Sequence, residues 1–171
     1  MEDIYSIKFL DSDGKETDLS AYKGKVLLIV NTATHCMFTK SLMGLEELYK
    51  EYQKKGFEIL AFPSNQFASQ APESAKEIGS ICSLKYHVTF PTFDKINVNG
   101  PKASPFFQYL EEEKKRKILG LIPVKSLSWN FTKFLIGKDG KVLKRFEPSS
   151  TKEKIEPYVI AALNREDKKN A

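Results

Sequence analysis

Of the two cysteines in the chain, Cys36 stands where chemistry is easiest to arrange. It follows an apolar run that reads as a buried strand and precedes a helical repeat, at the edge of an open α/β sheet where ligands usually sit. Backbone N–H groups at a helix start carry partial positive charge, which favours thiolate over thiol. Such a setting lowers a cysteine pKa from about 8.5 into the range of about 3.5 to 7.5. The thiolate is then a nucleophile at neutral pH, whereas a cysteine without that setting packs as a small hydrophobe. Thiol-disulfide exchange within one turn needs Cys-x-x-Cys, but Cys36-Met37-Phe38-Thr39 places a hydroxyl at the fourth position. A lone thiolate suits attack on an electrophile such as a peroxide oxygen, giving a sulfenic acid that another thiol must capture. Cys82, beside Ile78 and Ile81, is by itself equally readable as core filler.

The elements that must position these residues follow from periodicity. Tyr5, Ile7 and Phe9 alternate with Ser6 and Lys8 ahead of the turn Asp11-Ser12-Asp13-Gly14, which predicts an N-terminal β-hairpin. The run from Val26 to Val30 has the continuous β-branched character of a strand buried on both faces. After a linker from Asn31 to Phe38, Leu42, Leu45, Leu48 or Tyr49, and Tyr52 recur at helical spacing, with Glu46 and Lys50 as an i, i+4 pair on the opposite side. Gly56 ends that helix and Phe57 to Phe62 forms a second strand, giving a βαβ unit with parallel strands. Pro72 and Glu73 open another helix through Ile81, and Ser104 to Glu113 is a third. Lys133 to Ile136 and Val142 to Phe146 flank Lys138-Asp139-Gly140-Lys141 as a hairpin, and a helix from Ile155 to Leu163 closes the fold. This element order is that of an α/β, thioredoxin-like fold, a central mixed sheet flanked by helices. Fold order alone names no reaction.

The 171 residues suit one domain with its own core, and the last of them, from Arg165, suit a frayed tail. The formal charge of +5 comes mostly from interleaved segments such as Glu111 to Lys117, without aromatics to stack on bases, so nucleic acid is not the expected partner. No apolar run approaches the roughly 20 residues that span a bilayer. The start, Met1 to Tyr5, has neither a basic leader nor an apolar stretch. Two cysteines alone suit a reducing compartment, so a cytoplasmic location is expected.

Three separated segments resemble, in order, the signatures of the glutathione peroxidase family. They are Asn31-Thr32-Ala33-Thr34-His35-Cys36-Met37-Phe38-Thr39, Leu60-Ala61-Phe62-Pro63-Ser64-Asn65-Gln66-Phe67 through Gln70, and Trp129-Asn130-Phe131 with Lys133-Phe134-Leu135. The similarity runs from about Tyr5 to Leu163. It implies a thioredoxin-like fold and a catalytic tetrad carried onto Cys36, Gln70, Trp129 and Asn130. Two amides and an indole N–H can hold a thiolate charged and stabilise the departing oxygen. The resemblance also implies a resolving role for Cys82, because cysteine-containing members reduced by thioredoxin carry such a residue on the helix ahead of a Phe-Pro like Phe90-Pro91. The implied cycle is a Cys36 sulfenic acid, a Cys36–Cys82 disulfide, and reduction by a thioredoxin-like dithiol, with no cofactor. A disulfide requires Cα atoms within about 7 Å, so unwinding of residues 79 to 86 during turnover is expected.

The chain departs from the family at Met37, Ala68 and Ser69, where glycine is usual, at Ser64 for a common cysteine, and at Ala71 for a common glutamate. These departures bear on rate and on peroxide preference. Basic residues for glutathione docking are not identifiable, which favours thioredoxin over glutathione. The stretch from Leu110 to Trp129 is too short for the interface insertion of tetrameric members, which implies a monomer. A peroxide sensor relaying oxidation to a partner would use the same Cys36 chemistry. A zinc module built from His35, Cys36, Cys82 and His87 has spacings that match no compact zinc pattern.

Overall fold

A computed structural model describes residues 3–35, 39–67, 69–118, 122–124, 126–127 and 129–165. Cys36 and the tail beyond Arg165 lie outside the described residues, so the expected fraying of that tail is not addressed. The expected N-terminal hairpin is present but short, pairing β1 (Phe9–Leu10) with β2 (Glu16–Thr17). The Tyr5–Ile7 alternation is not part of it. Ile4–Ser6 is a single 3₁₀ turn, because the Asp3 side chain accepts from the Tyr5 and Ser6 N–H groups and caps it.

The main sheet has the order β4-β3-β7-β8. β3 (Val26–Thr32) is buried along its whole length and runs parallel to β4 (Phe57–Pro63), in a register from Val26 opposite Phe57 to Thr32 opposite Pro63. On its other side β3 pairs antiparallel with β7 (Lys133–Ile136), and β7 pairs antiparallel with β8 (Val142–Phe146). Such strands must be apolar on both faces, as the unbroken run Val26 to Val30 is. Gly140 closes the β7–β8 turn at φ 81, and a side chain there would also meet the Tyr5 ring at 2.7 Å.

α1 (Ser41–Tyr52), α2 (Ala75–Tyr86) and α4 (Lys152–Asn164) share one hydrophobic cluster with Val26, Leu28 and Val30. Leu27, Ile29, Leu60 and Phe62 turn to the other face, where α3 (Pro105–Glu113) supplies Phe106, Phe107 and Leu110. Phe9, Phe62, Phe93 and Phe106 interlock there with ring centroids 4.9 to 5.3 Å apart. This is the thioredoxin-like arrangement expected from the element order. A further antiparallel ribbon, β5 (Arg116–Ile118) with β6 (Ile122–Val124), was not anticipated, since charged residues and Pro123 break any alternation. Among the described residues no helix is long and apolar enough to cross a membrane.

α1 begins at Ser41, after the linker expected from Asn31 to Phe38. Two local expectations are corrected. α2 begins at Ala75 rather than at Pro72 and continues to Tyr86. Ser74 caps it by accepting from the Glu77 N–H, and His87 ends it in the left-handed region at φ 60. Glu46 does not pair with Lys50 on a solvated face. It is buried and accepts from Thr89 N at 2.8 Å and Thr89 Oγ1 at 2.6 Å, because the chain leaving α2 packs over α1. A buried carboxylate is tolerable when both oxygens are bonded.

Lys133 is also fully buried, and its Nζ donates to the carbonyls of Pro148 and Ser150 at 3.0 and 3.3 Å. Burial lowers its pKa from 10.5 to about 8, against the opposing pull of Glu147. Between those values the unfolded chain holds a proton that the folded one lacks, so this lysine makes stability rise with pH across that window. The rise is about 3 kcal/mol at about 1.36 kcal/mol per unit. Lys133→Met is expected to lose it. The wild-type advantage over the variant, measured by urea unfolding, should grow by roughly 3 kcal/mol from pH 7.5 to 10.5. A difference that stays constant with pH would contradict the assignment.

Candidate active site

The site gathers at one edge of the sheet because β3 and β4 end there while β7 begins there. At the end of β3, Thr34 N and His35 N both donate to the Gln70 carbonyl, at 3.1 and 2.8 Å. Thr39 Oγ1 donates back to the Ala33 carbonyl at 3.0 Å. The stretch that contains Cys36 is therefore held on both flanks, by Gln70 on one side and by Ala33 on the other.

Three of the residues expected in the tetrad are described: Gln70 and Asn130 are in contact, and Trp129 adjoins Asn130 in the chain. Asn130 Nδ2 donates to Gln70 Oε1 at 3.1 Å, joining the loop after β4 to the loop before β7. Asn130 is fully buried, and its Oδ1 has no partner among the described residues. The half-buried Trp129 ring lies 5.8 Å from the Phe67 ring. Cys36, the fourth member, lies outside the described residues. Cys82 sits in the core cluster with Ile78 and Tyr86, 3% exposed. Burial, reinforced by the charge of Glu73, pushes its thiol pKa up to about 11. At rest it is a protonated, shielded thiol.

Several supporting residues carried no signal beyond their place in the quoted segments, or none at all. Asn31 Nδ2 donates to the Trp129 carbonyl at 3.3 Å, and the Asn31 carbonyl accepts from Phe131 N at 2.6 Å. Phe131 is held at φ 68, a conformation bulky residues avoid, in the loop that presents Trp129 and Asn130. Asn99 pins Leu127 through both ends of its amide, donating at 2.7 Å and accepting at 2.9 Å. Gln66 in turn accepts from Val98 N and Asn99 N. A side-chain amide can donate and accept at once, as Asn99 does here.

Glu73 is the other residue missed. Its carboxylate accepts from Thr34 Oγ1 at 2.6 Å and pairs with His35 Nε2 at 2.5 Å. Burial would raise its pKa, but hydrogen bonds from Thr34, its own backbone and His35 outweigh burial and hold it below the usual carboxylate value. Ala71 itself is buried in the core. Among the described residues, no three His, Cys, Asp or Glu side chains converge to hold a metal.

Comparison with known proteins finds relatives along nearly the whole chain. The family model for glutathione peroxidase matches residues 4–111. A glutathione peroxidase homolog of Neisseria meningitidis is 45% identical, across 94% of this chain and 99% of its own. The glutathione peroxidase-like peroxiredoxin gpx1 of Schizosaccharomyces pombe is 46% identical, across 95% of this chain and all of its own. The crystal structure of T. cruzi GPX1 superposes with a TM-score of 0.77 at 37% identity, covering 95% of this chain and 97% of that one. A thioredoxin-family interchange protein of Chlorobium tepidum, at 16% identity and a TM-score of 0.66, shares the fold. With signature segments, fold and relatives in agreement over nearly its whole length, the chain belongs to the glutathione peroxidase family.

Proposed function

We propose that this peroxidase reduces hydrogen peroxide and organic hydroperoxides at Cys36, with Gln70, Trp129 and Asn130 as its polar partners and Cys82 as the resolving thiol. The observation that carries the reading is the Asn130–Gln70 hydrogen bond at 3.1 Å, made by the residue whose carbonyl also holds Thr34 and His35 just before Cys36. Amide and indole donors at this edge suit a thiolate and a departing alkoxide. The buried Asn130 Oδ1 suits the O–H of an entering hydroperoxide.

In the first step the thiolate attacks one peroxide oxygen, the O–O bond breaks, and the alcohol or water leaves with a proton. The resulting sulfenic acid condenses with Cys82, and a dithiol reductant restores both thiols. A thioredoxin-like protein is the reductant of this proposal, since the carboxylate Glu73 rather than a cluster of basic groups flanks the segment before Cys36. The working form is a monomer in a reducing, cytoplasmic compartment, in keeping with a chain of two cysteines, of which Cys82 is a free thiol. The test is peroxide-dependent NADPH consumption with thioredoxin and its reductase, compared with glutathione and its reductase. The thioredoxin rate is expected to be larger by about tenfold or more, equivalent to about 1.4 kcal/mol in the barrier. Equal rates, or a faster glutathione reaction, would overturn the choice of reductant.

A further inference from the structure

Glu73 stands one position ahead of Ser74, the cap of α2, yet its carboxylate engages the residues that lead into Cys36. The contact to Thr34 is the more sheltered, since Thr34 is buried while the His35 side chain is 59% exposed. A hydroxyl bonded to a sheltered carboxylate makes a short, charge-assisted link. With the Gln70 carbonyl holding Thr34 and His35 through the backbone, the loop leading into α2 is joined to the end of β3 at two places.

The far end of α2 is anchored elsewhere. Val88 N donates to the Cys82 carbonyl at 3.0 Å, and Thr89 is clasped by Glu46 of α1. Between the two carboxylate anchors lie Gly79, Ser80 and Ser83, poor helix formers, and Leu84, 80% exposed. Cys82 is buried within this weak stretch and must leave the core to react.

We infer that Glu73 is a positioning residue for disulfide formation: it fastens the start of α2 to the segment entering Cys36, so that residues 79 to 88 rearrange while the two cysteine-bearing segments stay joined. The inference rests on the Cys36–Cys82 cycle proposed above. In the step concerned, the electron pair of the Cys82 sulfur attacks the Cys36 sulfur of the sulfenic acid. The S–S bond forms, the S–O bond breaks, and the hydroxyl leaves as water with the Cys82 proton. Its rate depends on the effective concentration of one sulfur at the other, which a tether raises without adding contacts to either. Oxidation of the sulfenic acid by a second peroxide competes, so the ratio of disulfide to sulfinic acid reports on the tether.

The test uses the reduced full chain with graded hydrogen peroxide. Intact mass gives the disulfide-to-sulfinic ratio, and stopped-flow fluorescence of Trp129 gives the first step. In Glu73→Ala the ratio is expected to fall about fivefold, with the first step within about twofold of wild type. Glu73→Gln, which keeps an acceptor for Thr34, should recover part of the loss. Thr34→Val removes the donor from the other side and should lower the ratio as Glu73→Ala does, which covers the case of an alanine variant that folds poorly. An unchanged ratio in both variants, or equal slowing of both steps, overturns the role of Glu73. Absence of any Cys36–Cys82 disulfide in the wild type overturns the cycle itself, a result distinct from an unchanged ratio.

Discussion

Replacing Cys36 by serine is expected to lower peroxide reduction by about a thousandfold or more, a loss of about 4 kcal/mol of transition-state stabilisation. A serine hydroxyl stays protonated at neutral pH, where a cysteine ionises far more readily. Gln70 and Asn130 offer amides, which donate and accept hydrogen bonds but take no proton. The measurement is direct, because Trp129 is the single tryptophan and its ring belongs to the site, packed beside Phe67. Peroxide added to reduced wild type should change its emission in one fast phase that vanishes in Cys36→Ser. A variant that keeps the phase and the turnover would remove Cys36 from the chemistry and leave the polar cluster without its reactant.

Cys82→Ser should separate the two halves of the cycle. The resting Cys82 thiol, buried and with a pKa of about 11, takes no part in activating Cys36, so the first equivalent of peroxide should be reduced at a rate within about twofold of wild type. Steady-state turnover with thioredoxin should fall by about a hundredfold, and excess peroxide should drive Cys36 to sulfinic acid. The same shielding means that an alkylating agent at neutral pH should leave Cys82 of the folded, reduced protein unlabelled. Full turnover in Cys82→Ser would show that the reductant attacks the sulfenic acid without an internal disulfide.

What the sequence made legible divides along physical lines. The strand Val26–Val30 and the hairpin around Lys138–Gly140 follow from local pattern, since burial on both faces and a tight turn each demand particular residues. Glu46 was misread because helical periodicity sorts residues by the helix alone. The burying partner, Thr89, is far along the chain and reaches α1 only through the path the backbone takes after α2. Pro72 sets the start of α2 three residues early, while the Ser74–Glu77 cap, a local signal, marks the true start. Asn31, Asn99 and Gln66 act on the site only by holding backbone, and that requirement exists only once the loops are folded against one another. Glu73 belongs with them: its partners Thr34 and His35 lie on a different strand end, and nothing in its own neighbourhood marks it.

The stretch after α2 also bears on the outer side of β4. Ala61 N donates to the Pro91 carbonyl, Phe93 N donates to the Ala61 carbonyl, and Ile96 N donates to the Pro63 carbonyl, so residues 91–96 run as a partial fifth strand along that side. A free outer strand is a template for aggregation. Glu46 holds Thr89 just ahead of this stretch, so the cover over β4 is anchored to α1 independently of α2. If α2 rearranges during turnover as proposed, the outer side of β4 therefore stays covered and offers a second molecule no strand on which to nucleate a fibre.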